Sequence, residues 1–140
     1  MASPTTFDTI HDYLVQQWAD GQPAPVVFEN DPWPVPAVPA PFVFVEVFGT
    51  TYDQASLGDG ADTRDSLWRE AGFLYGHVLV PRNTGSRPGR ILAQQFVDLF
   101  RGQELGPLLF MGASIGAGAA GEKDGNYYRM TATIDWERDE

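Results

Sequence analysis

The chain of 140 residues contains no cysteine and only two histidines. The lack of cysteine excludes disulfides, thiolate metal ligands and a cysteine nucleophile. No apolar run approaches the roughly 20 residues that a membrane-spanning helix needs, and the acidic N-terminal segment lacks the basic start of a signal peptide. We therefore expect a soluble protein made in the cytosol, with one domain over residues 1–140, because this length suits a single core.

Basic residues are also scarce: nine lysines and arginines stand against 19 acidic residues, for a formal net charge of −10. The nine are scattered and form no stripe of the kind that binds DNA tightly. An acidic surface repels nucleic acid and anionic lipid over about a Debye length, roughly 8–10 Å at physiological salt. Two interpretations stay open: the charge serves solubility, or it provides a surface past which DNA slides without sticking.

The most informative stretch is Leu67–Arg101, which combines a strand, a polar corner and a helix. Its first part, LWREAGFLYGHVLV, alternates with period two and is largely apolar on both faces. This pattern predicts a strand covered on both sides, by its own domain or by a neighbouring subunit. The corner PRNTGSRPG is rich in turn formers, with Ser86 or Arg87 as helix cap and Pro88 in the first turn. The helix that follows gathers apolar residues on one face: Leu92, Phe96, Leu99 and Phe100.

The rest of the chain predicts a first helix over residues 1–21 and strands at 26–28, 42–48, 108–115 and 127–137. Ser3 or Thr5 is the candidate cap of the first helix. The order α-β-β-β-α-β-β predicts an α+β fold, with a mainly antiparallel (mixed) sheet of four to five strands and two helices packed on one face. We expect four residues to be buried together in this core: Phe44, Leu92, Phe96 and Ile134.

The connecting segments have distinct compositions. Residues 31–41, with the sequence DPWPVPAVPAP, are proline-rich, which favours extended polyproline geometry and a rigid arm. Trp33 in this arm is either an exposed anchor or a lid over the core. Residues 49–66 and 116–125 have loop composition, and we expect at least one of them to contact a neighbouring protein and to be poorly ordered in the isolated chain.

The sequence predicts no catalytic, cofactor-binding or metal-binding residues. His11 and His77 lie in no motif with a nucleophile or a metal partner, and Ser114 misses the G-x-S-x-G spacing by one residue. The acidic residues of the 49–66 loop lack the ligand spacing of an EF-hand. The glycines of segment 116–121 precede no helix, which argues against a phosphate loop.

The order of the pieces resembles the tail terminators of siphovirus-like phages and of phage-derived gene transfer agents. The resemblance lies in an N-terminal helix, a strand with a proline-rich follow-up, a strand ending GHVLVPRNTG, a helix ending LFRG, and a glycine loop leading to YYRMTATIDW. It covers most of the chain, but the 49–66 loop is longer than in shorter members of the family.

The resemblance implies a non-enzymatic virion protein. Six copies would form a homohexameric ring on the last ring of the tail tube protein, stop its polymerisation and offer a surface to the head-side connector or stopper protein. DNA would pass through the lumen without specific binding, and no cofactor or membrane would be involved. The location implied is the tail of a virion or phage-like particle, assembled in the bacterial cytoplasm.

Other functions compete with this interpretation. One is a head–tail adaptor or another tail component. Another is a small-molecule enzyme or carrier with a pocket between helix and sheet, lined by Phe73, Tyr75, His77 and Trp136. A regulatory interaction domain is a third. The nearest approach to a basic cluster is formed by Arg82, Arg87 and Arg90 at the strand–helix corner, which we expect to face carboxylates of a partner or of this chain instead of DNA.

Overall fold

The computed structural model describes residues 3–18, 24–34, 37–54, 68–116, 118–120 and 126–139. In the part of the chain so described, two helices and seven strands follow one another: α1 (Pro4–Trp18), β1 (Val26–Phe28), β2 (Phe42–Gln54), β3 (Trp68–Pro81), α2 (Arg87–Phe100), β4 (Glu104–Leu105), β5 (Leu108–Ile115), β6 (Ala119–Ala120) and β7 (Tyr127–Asp139). No helix within these ranges is long and apolar enough to cross a membrane.

The strands form one mixed sheet in the order β1-β2-β3-β7-β5-β4, and β6 pairs with the end of β7. Among the described strands, β1 and β2 pair in parallel and the other pairs are antiparallel. The α+β class is therefore confirmed, but the prediction of four to five strands is too low. The additional strands, β4 and β6, have two residues each, and a strand that short leaves no period-two pattern in a sequence.

Strands β2 and β3 form a long hairpin that reaches into the segment expected to be a loop. Strand β2 runs on to Gln54, and its last residues pair with the first residues of β3, Tyr52 with Glu70 and Gln54 with Trp68. The prediction of a loop from residue 49 onward is therefore wrong for 49–54. The side chains of this segment are mostly polar, which suggested a loop. Its backbone N–H and C=O groups nevertheless form hydrogen bonds with β3, and these bonds do not depend on the side chains. The second expected loop is also wrong in part, because residues 119–120 form β6 and pair with β7. Residues 55–66, 117 and 121–125 of the two expected loops lie outside the described residues.

Both helices cover the same face of the sheet, as expected. Ile10 and Leu14 of α1 and Phe96 of α2 are completely buried against the sheet, together with Leu74 and Ile134. Phe96 lies over Gly76, where an added Cβ would come within 2.7 Å of its ring. The absence of a side chain at Gly76 thus leaves the space that the ring of Phe96 fills.

Phe44, by contrast, does not join this core. It lies on the opposite face of the sheet with Glu46 and Phe48, whereas Val43 and Val45 face the helices. Leu92, Phe96 and Ile134 are buried together as expected, so the prediction is wrong for Phe44 alone. Alternation separates the two faces of β2 correctly, but both are apolar, and nothing local says which one the helices will cover.

A buried carboxylate holds the start of α1 on the sheet. Ser3 caps the helix, as expected, and its Oγ accepts the amide of Thr6 at 3.2 Å. Glu70 of β3, which is completely buried, accepts hydrogen bonds from Ser3 Oγ at 2.8 Å, from the Ser3 amide at 3.2 Å and from the Thr6 hydroxyl. A carboxylate at a helix N-terminus also meets the positive end of the helix dipole.

Candidate functional site

The face of the sheet opposite the helices carries a row of aromatic side chains on β2 and β3. We call this the aromatic face and define it by Phe44, Phe48, Phe73, Tyr75 and His77. Cross-strand pairing brings these residues together, since Phe44 stands opposite His77 and Phe48 opposite Phe73. Side chains at every second position of a strand point to one side, so the same alternation that buries the valines of β2 places its phenylalanines here.

The rings of the aromatic face lie close to one another. The ring of His77 is nearly parallel to those of its neighbours, at 19° to Phe44 and 16° to Tyr75, with centroids 6.0 and 5.8 Å apart. Tyr75 lies 6.0 Å from Phe73 and 6.5 Å from Phe48. Phe48 remains 53% exposed. An exposed set of contiguous apolar side chains is typical of an interaction surface.

His77 is held from both sides by polar side chains of the neighbouring strands. Its Nε2 lies 2.5 Å from Glu46 Oε1 on β2, and its Nδ1 lies 2.7 Å from Thr131 Oγ1 on β7. In the neutral imidazole that carries its proton on Nε2, this N–H donates to Glu46 Oε1 and Nδ1 accepts the hydroxyl of Thr131. The arrangement fixes the orientation of the imidazole ring and, through it, the stack of aromatic rings.

A shallow hollow of about 240 Å³ opens at one end of the aromatic face. Apolar side chains form part of its lining, and Glu46, His77 and Arg129 form the rest; the apolar members are Phe42, Phe44 and Leu79. Pockets that enclose drug-sized ligands measure about 300–1,000 Å³. The hollow therefore has room for an amino-acid side chain but is small for a cofactor.

The proline-rich segment covers the end of the sheet next to this hollow. Trp33 is half-buried against Phe42, with ring centroids 5.5 Å apart, and Phe42 in turn contacts Tyr127 at 5.4 Å. The backbone amide of Ala40 donates to the hydroxyl of Tyr127 at 3.4 Å. Trp33 is therefore not an exposed anchor, and it is not a lid over the core under the helices either, because it packs on a second, smaller apolar cluster with Phe42 and Tyr127.

Charged groups surround the aromatic face at both ends of the strands. Desolvation raises the pKa of Glu29, beside β2; a hydrogen bond from the Val47 amide lowers it in part, and the nearby charge of Glu46 raises it. At the far end, Arg69 binds Asp139 through two hydrogen bonds of 2.6 and 3.0 Å. This contact lowers the pKa of the Asp139 carboxyl and raises that of Arg69.

The structure separates residues that the sequence had grouped in one pocket. Phe73, Tyr75 and His77 lie on the aromatic face, whereas Trp136 is completely buried on the helix side. The predicted pocket between helix and sheet, lined by all four, is therefore wrong. His11 packs beside Phe28, with ring centroids 4.4 Å apart. Within the described residues, no group of three or more histidines, aspartates and glutamates could hold a metal ion.

Sequence reasoning missed two members of this site, Glu46 and Thr131. A signal for Glu46 was present, because it is the one charged residue in the apolar strand FVFVEVF and a charge there needs a partner. Thr131 is one of two threonines in β7, and only the pairing of β7 with β3 places it opposite His77.

Ser114 is exposed on β5, opposite Thr133 of β7. The predicted basic cluster is also exposed: Arg82, Arg87 and Arg90 lie at the corner between β3 and α2. There the Nε of Arg90 donates to Ser86 Oγ at 3.3 Å.

Comparison with known proteins identifies a fold but no function. No protein family matches the sequence, and no curated protein does. Among solved structures, one that carries a sequence identifier and no functional name matches with a TM-score of 0.59 at 19% identity, and the match covers 94% of this chain and 94% of that chain. At this identity the likeness shows that the two chains share a fold, and nothing more.

Proposed function

We propose that this chain is a tail terminator, a structural protein of a phage tail or of a phage-like particle. Six copies form a ring that caps the tail tube, stops its polymerisation and joins it to the head-side connector. The tube protein, the connector and the neighbouring copies are its partners, and DNA passes through the ring.

The aromatic face is the observation that carries the proposal. Both helices lie on one side of the sheet, and the other side presents a row of partly exposed rings, with Phe48 at 53%. Contiguous exposed apolar surface costs free energy in water, and proteins that assemble bury it against other subunits. An assembling structural protein accounts for this surface, whereas an enzyme of this size would enclose its apolar side chains around a substrate.

The uneven charge of the strand ends supports the same proposal. Between Glu70 and Asp98 the chain has no acidic residue, yet this stretch carries Arg82, Arg87 and Arg90 in a protein of net charge −10. The opposite end of the sheet carries four acidic residues beside two arginines: Asp53, Glu70, Glu137 and Asp139 with Arg69 and Arg138. A ring between a tube and a connector needs two dissimilar surfaces, and opposite local charge distinguishes them.

The test is a mixture of the full-length protein with its tube protein. Electron microscopy is expected to show a sixfold ring at one tube end and tubes that stop growing. A Phe48→Ser variant is expected to cap fewer tubes, and Ile91→Ser, at a residue exposed on α2, serves as the matched control. A ring of threefold or twelvefold symmetry, or tubes that grow at an unchanged rate, would contradict the proposal.

A head–tail adaptor or another tail component remains the alternative, and the same mixture separates it, because an adaptor leaves tube growth unchanged. The small-molecule enzyme or carrier loses its main support, since Trp136 and His77 lie on opposite faces of the sheet.

A further inference from the structure

Three polar side chains form a hydrogen-bonded line across the aromatic face of the sheet. We call them the polar triad and define it by Glu46 of β2, His77 of β3 and Thr131 of β7. The Nε2 of His77 lies 2.5 Å from Glu46 Oε1, and its Nδ1 lies 2.7 Å from Thr131 Oγ1. A surface that binds other subunits through aromatic rings has no need of this line, so the tail terminator proposal leaves its role open.

The order of groups in the polar triad is that of a nucleophile, its base and the acid that orients the base. A hydroxyl within about 2.6–3.2 Å of an imidazole nitrogen can pass its proton to that nitrogen when the oxygen attacks a carbonyl. When Nε2 carries the proton, the lone pair of Nδ1 faces the hydroxyl of Thr131. The carboxylate of Glu46 then stabilises the imidazolium that forms as the proton moves. The triad therefore meets the geometric requirements of an activated threonine.

The sheet holds the base of the triad in place. Cross-strand pairing sets Phe44 opposite His77 on one side and Thr131 opposite it on the other. The rings of Phe44 and Tyr75 lie at 19° and 16° to the imidazole, which is 15% exposed. Strands position side chains more precisely than loops do, so His77 stays aligned with the hydroxyl of Thr131.

The hollow at the end of the aromatic face provides the place for a small substrate. Its volume of about 240 Å³ suits a short acyl chain, since pockets for drug-sized ligands begin at about 300 Å³. Thr131 contacts His77 and follows Arg129 by two residues on the same face of β7, so its hydroxyl lies at the border of the hollow. The polar side of the hollow is formed by Glu46, His77 and Arg129, and its apolar side by Phe42, Phe44 and Leu79.

Arg129 supplies the remaining group that acyl transfer needs. Its side chain is exposed, and its guanidinium carries five N–H donors. Attack on a carbonyl places negative charge on the carbonyl oxygen, and a cationic donor beside the reacting atom stabilises that charge. Arg129 and Thr131 point to the same face about 7 Å apart along the strand, which leaves room for a carbonyl group between them.

We propose that Thr131 accepts a short, uncharged acyl group from an activated ester, with His77 as the base. Thr131 Oγ1 forms a bond to the carbonyl carbon while its proton passes to His77 Nδ1. The ester C–O bond then breaks, and the alcohol leaves with that proton. The product is an acyl-threonine on β7. Arg129 stabilises the tetrahedral oxyanion, and Glu46 is a positioning residue that orients the imidazole.

This reaction is additional to the proposed structural role and does not depend on it. All the groups involved belong to one copy of the chain, so acylation is measured on the free protein. Ring formation is measured with the tube protein instead. A protein that forms rings but takes up no acyl group would contradict this inference alone, and an acylated protein that forms no ring would contradict the tail terminator proposal alone.

The experiment mixes the full-length protein with p-nitrophenyl butyrate and follows both the release of nitrophenolate and the mass of the protein. We expect a burst of about one nitrophenolate per chain, which is the kinetic sign of an acylated nucleophile. Mass spectrometry should locate one butyryl group on Thr131. Thr131→Val is expected to react at least about 100-fold more slowly, whereas Thr131→Ser, which retains a hydroxyl, should still be acylated.

The matched control is Thr133→Val, because Thr133 lies on the same strand and face but stands opposite Tyr75. It should react at the rate of the wild type. Glu46→Ala should slow the reaction, and Glu46→Gln should recover much of the rate, since its amide oxygen still accepts a hydrogen bond from Nε2. Amide spectra establish that each variant folds.

Three results would overturn the inference. One is a wild-type rate in Thr131→Val, and another is a loss of rate in Thr133→Val equal to that in Thr131→Val. The third is a butyryl group on another side chain, such as His11, in place of Thr131. This last measurement uses the wild-type protein, so it decides the question even where a variant does not fold.

Discussion

The ring of Phe96 lies against the backbone of Gly76, so closely that a Cβ on the glycine would come within 2.9 Å of three ring carbons. Phe96 is completely buried. Because Gly76 lies on β3 in the middle of the sheet, this contact positions α2 over β3.

The first prediction concerns Phe96 itself. Replacement by alanine leaves a cavity under α2 and should lower the free energy of unfolding by roughly 3–5 kcal/mol, the usual range for a buried phenylalanine. The measurement is the midpoint of urea denaturation. Gln94→Ala, at an exposed position on the same helix, is the matched control, with an expected change within about 0.5 kcal/mol. An unchanged midpoint for Phe96→Ala would mean that α2 does not pack here.

The second prediction concerns Gly76. Alanine at this position should destabilise the protein by about 1–3 kcal/mol because its Cβ overlaps the ring of Phe96. In a Phe96→Ala background the overlap is gone, so the same substitution should cost much less. The measurement is a double-mutant cycle by chemical denaturation, and additive effects of the two substitutions would contradict the contact.

The third prediction concerns Glu70. Alanine there removes the acceptor of three donors at the start of α1, from Ser3 and Thr6. A buried donor without a partner costs about 1–3 kcal/mol, so the variant should unfold at lower denaturant and should lose amide-exchange protection in the first turn of α1. Glu104→Ala, at an exposed glutamate, should show neither effect. Equal protection in both variants would exclude a capping role for Glu70.

The fourth prediction concerns pH and Asp139. Arg69 lowers the pKa of this carboxyl in the folded protein. A carboxyl whose pKa is lower in the folded than in the unfolded protein stabilises the folded state. This contribution is fully present at pH values above the unfolded-state pKa, about 3.9 for aspartate, and it is lost as the pH falls through the folded-state pKa. The stability difference between wild type and Asp139→Asn should therefore be small, present at pH 6, reduced by high salt and absent in strong acid. A difference that grows as the pH falls would have the wrong sign.

The last prediction concerns DNA. Affinity for DNA comes mainly from lysine and arginine that neutralise phosphates, and the chain carries a net charge of −10. If it forms a ring around the genome, we expect a lumen of acidic and neutral groups and no shift in a low-salt mobility assay. Micromolar binding abolished by replacing Arg82, Arg87 and Arg90 with glutamine would contradict this and would assign a DNA contact to the corner.

Much of the fold could be predicted because its signals are local. The alternation in β7 predicts one inward face formed by Tyr128, Met130, Ala132, Ile134 and Trp136; the last four are completely buried, whereas Tyr128 is half-buried. The helical spacing in α2 likewise found Leu92, Phe96 and Phe100. Side-chain direction repeats every two residues in a strand and every 3.6 in a helix, so a pattern within ten residues suffices.

The candidate site was less accessible to prediction. Phe44 was expected in the core, and Tyr75 and His77 were expected beside Trp136, because each strand is apolar on both faces and the side that the helices choose depends on segments far along the chain. The contacts of His77 with Glu46 and Thr131 join residues 31 and 54 positions apart. No local pattern encodes such a pairing.

Composition and short-range periodicity suffice to predict the helices, the main strands, the two faces of each strand and the acidic charge. The tertiary structure decided which face the helices cover, how far β2 and β3 pair beyond Gly49, and that Glu70 is buried at the start of α1. Those features depend on the register between strands and on contacts over 67 positions of chain, such as Ser3 with Glu70, and they arise only when the whole sheet is assembled.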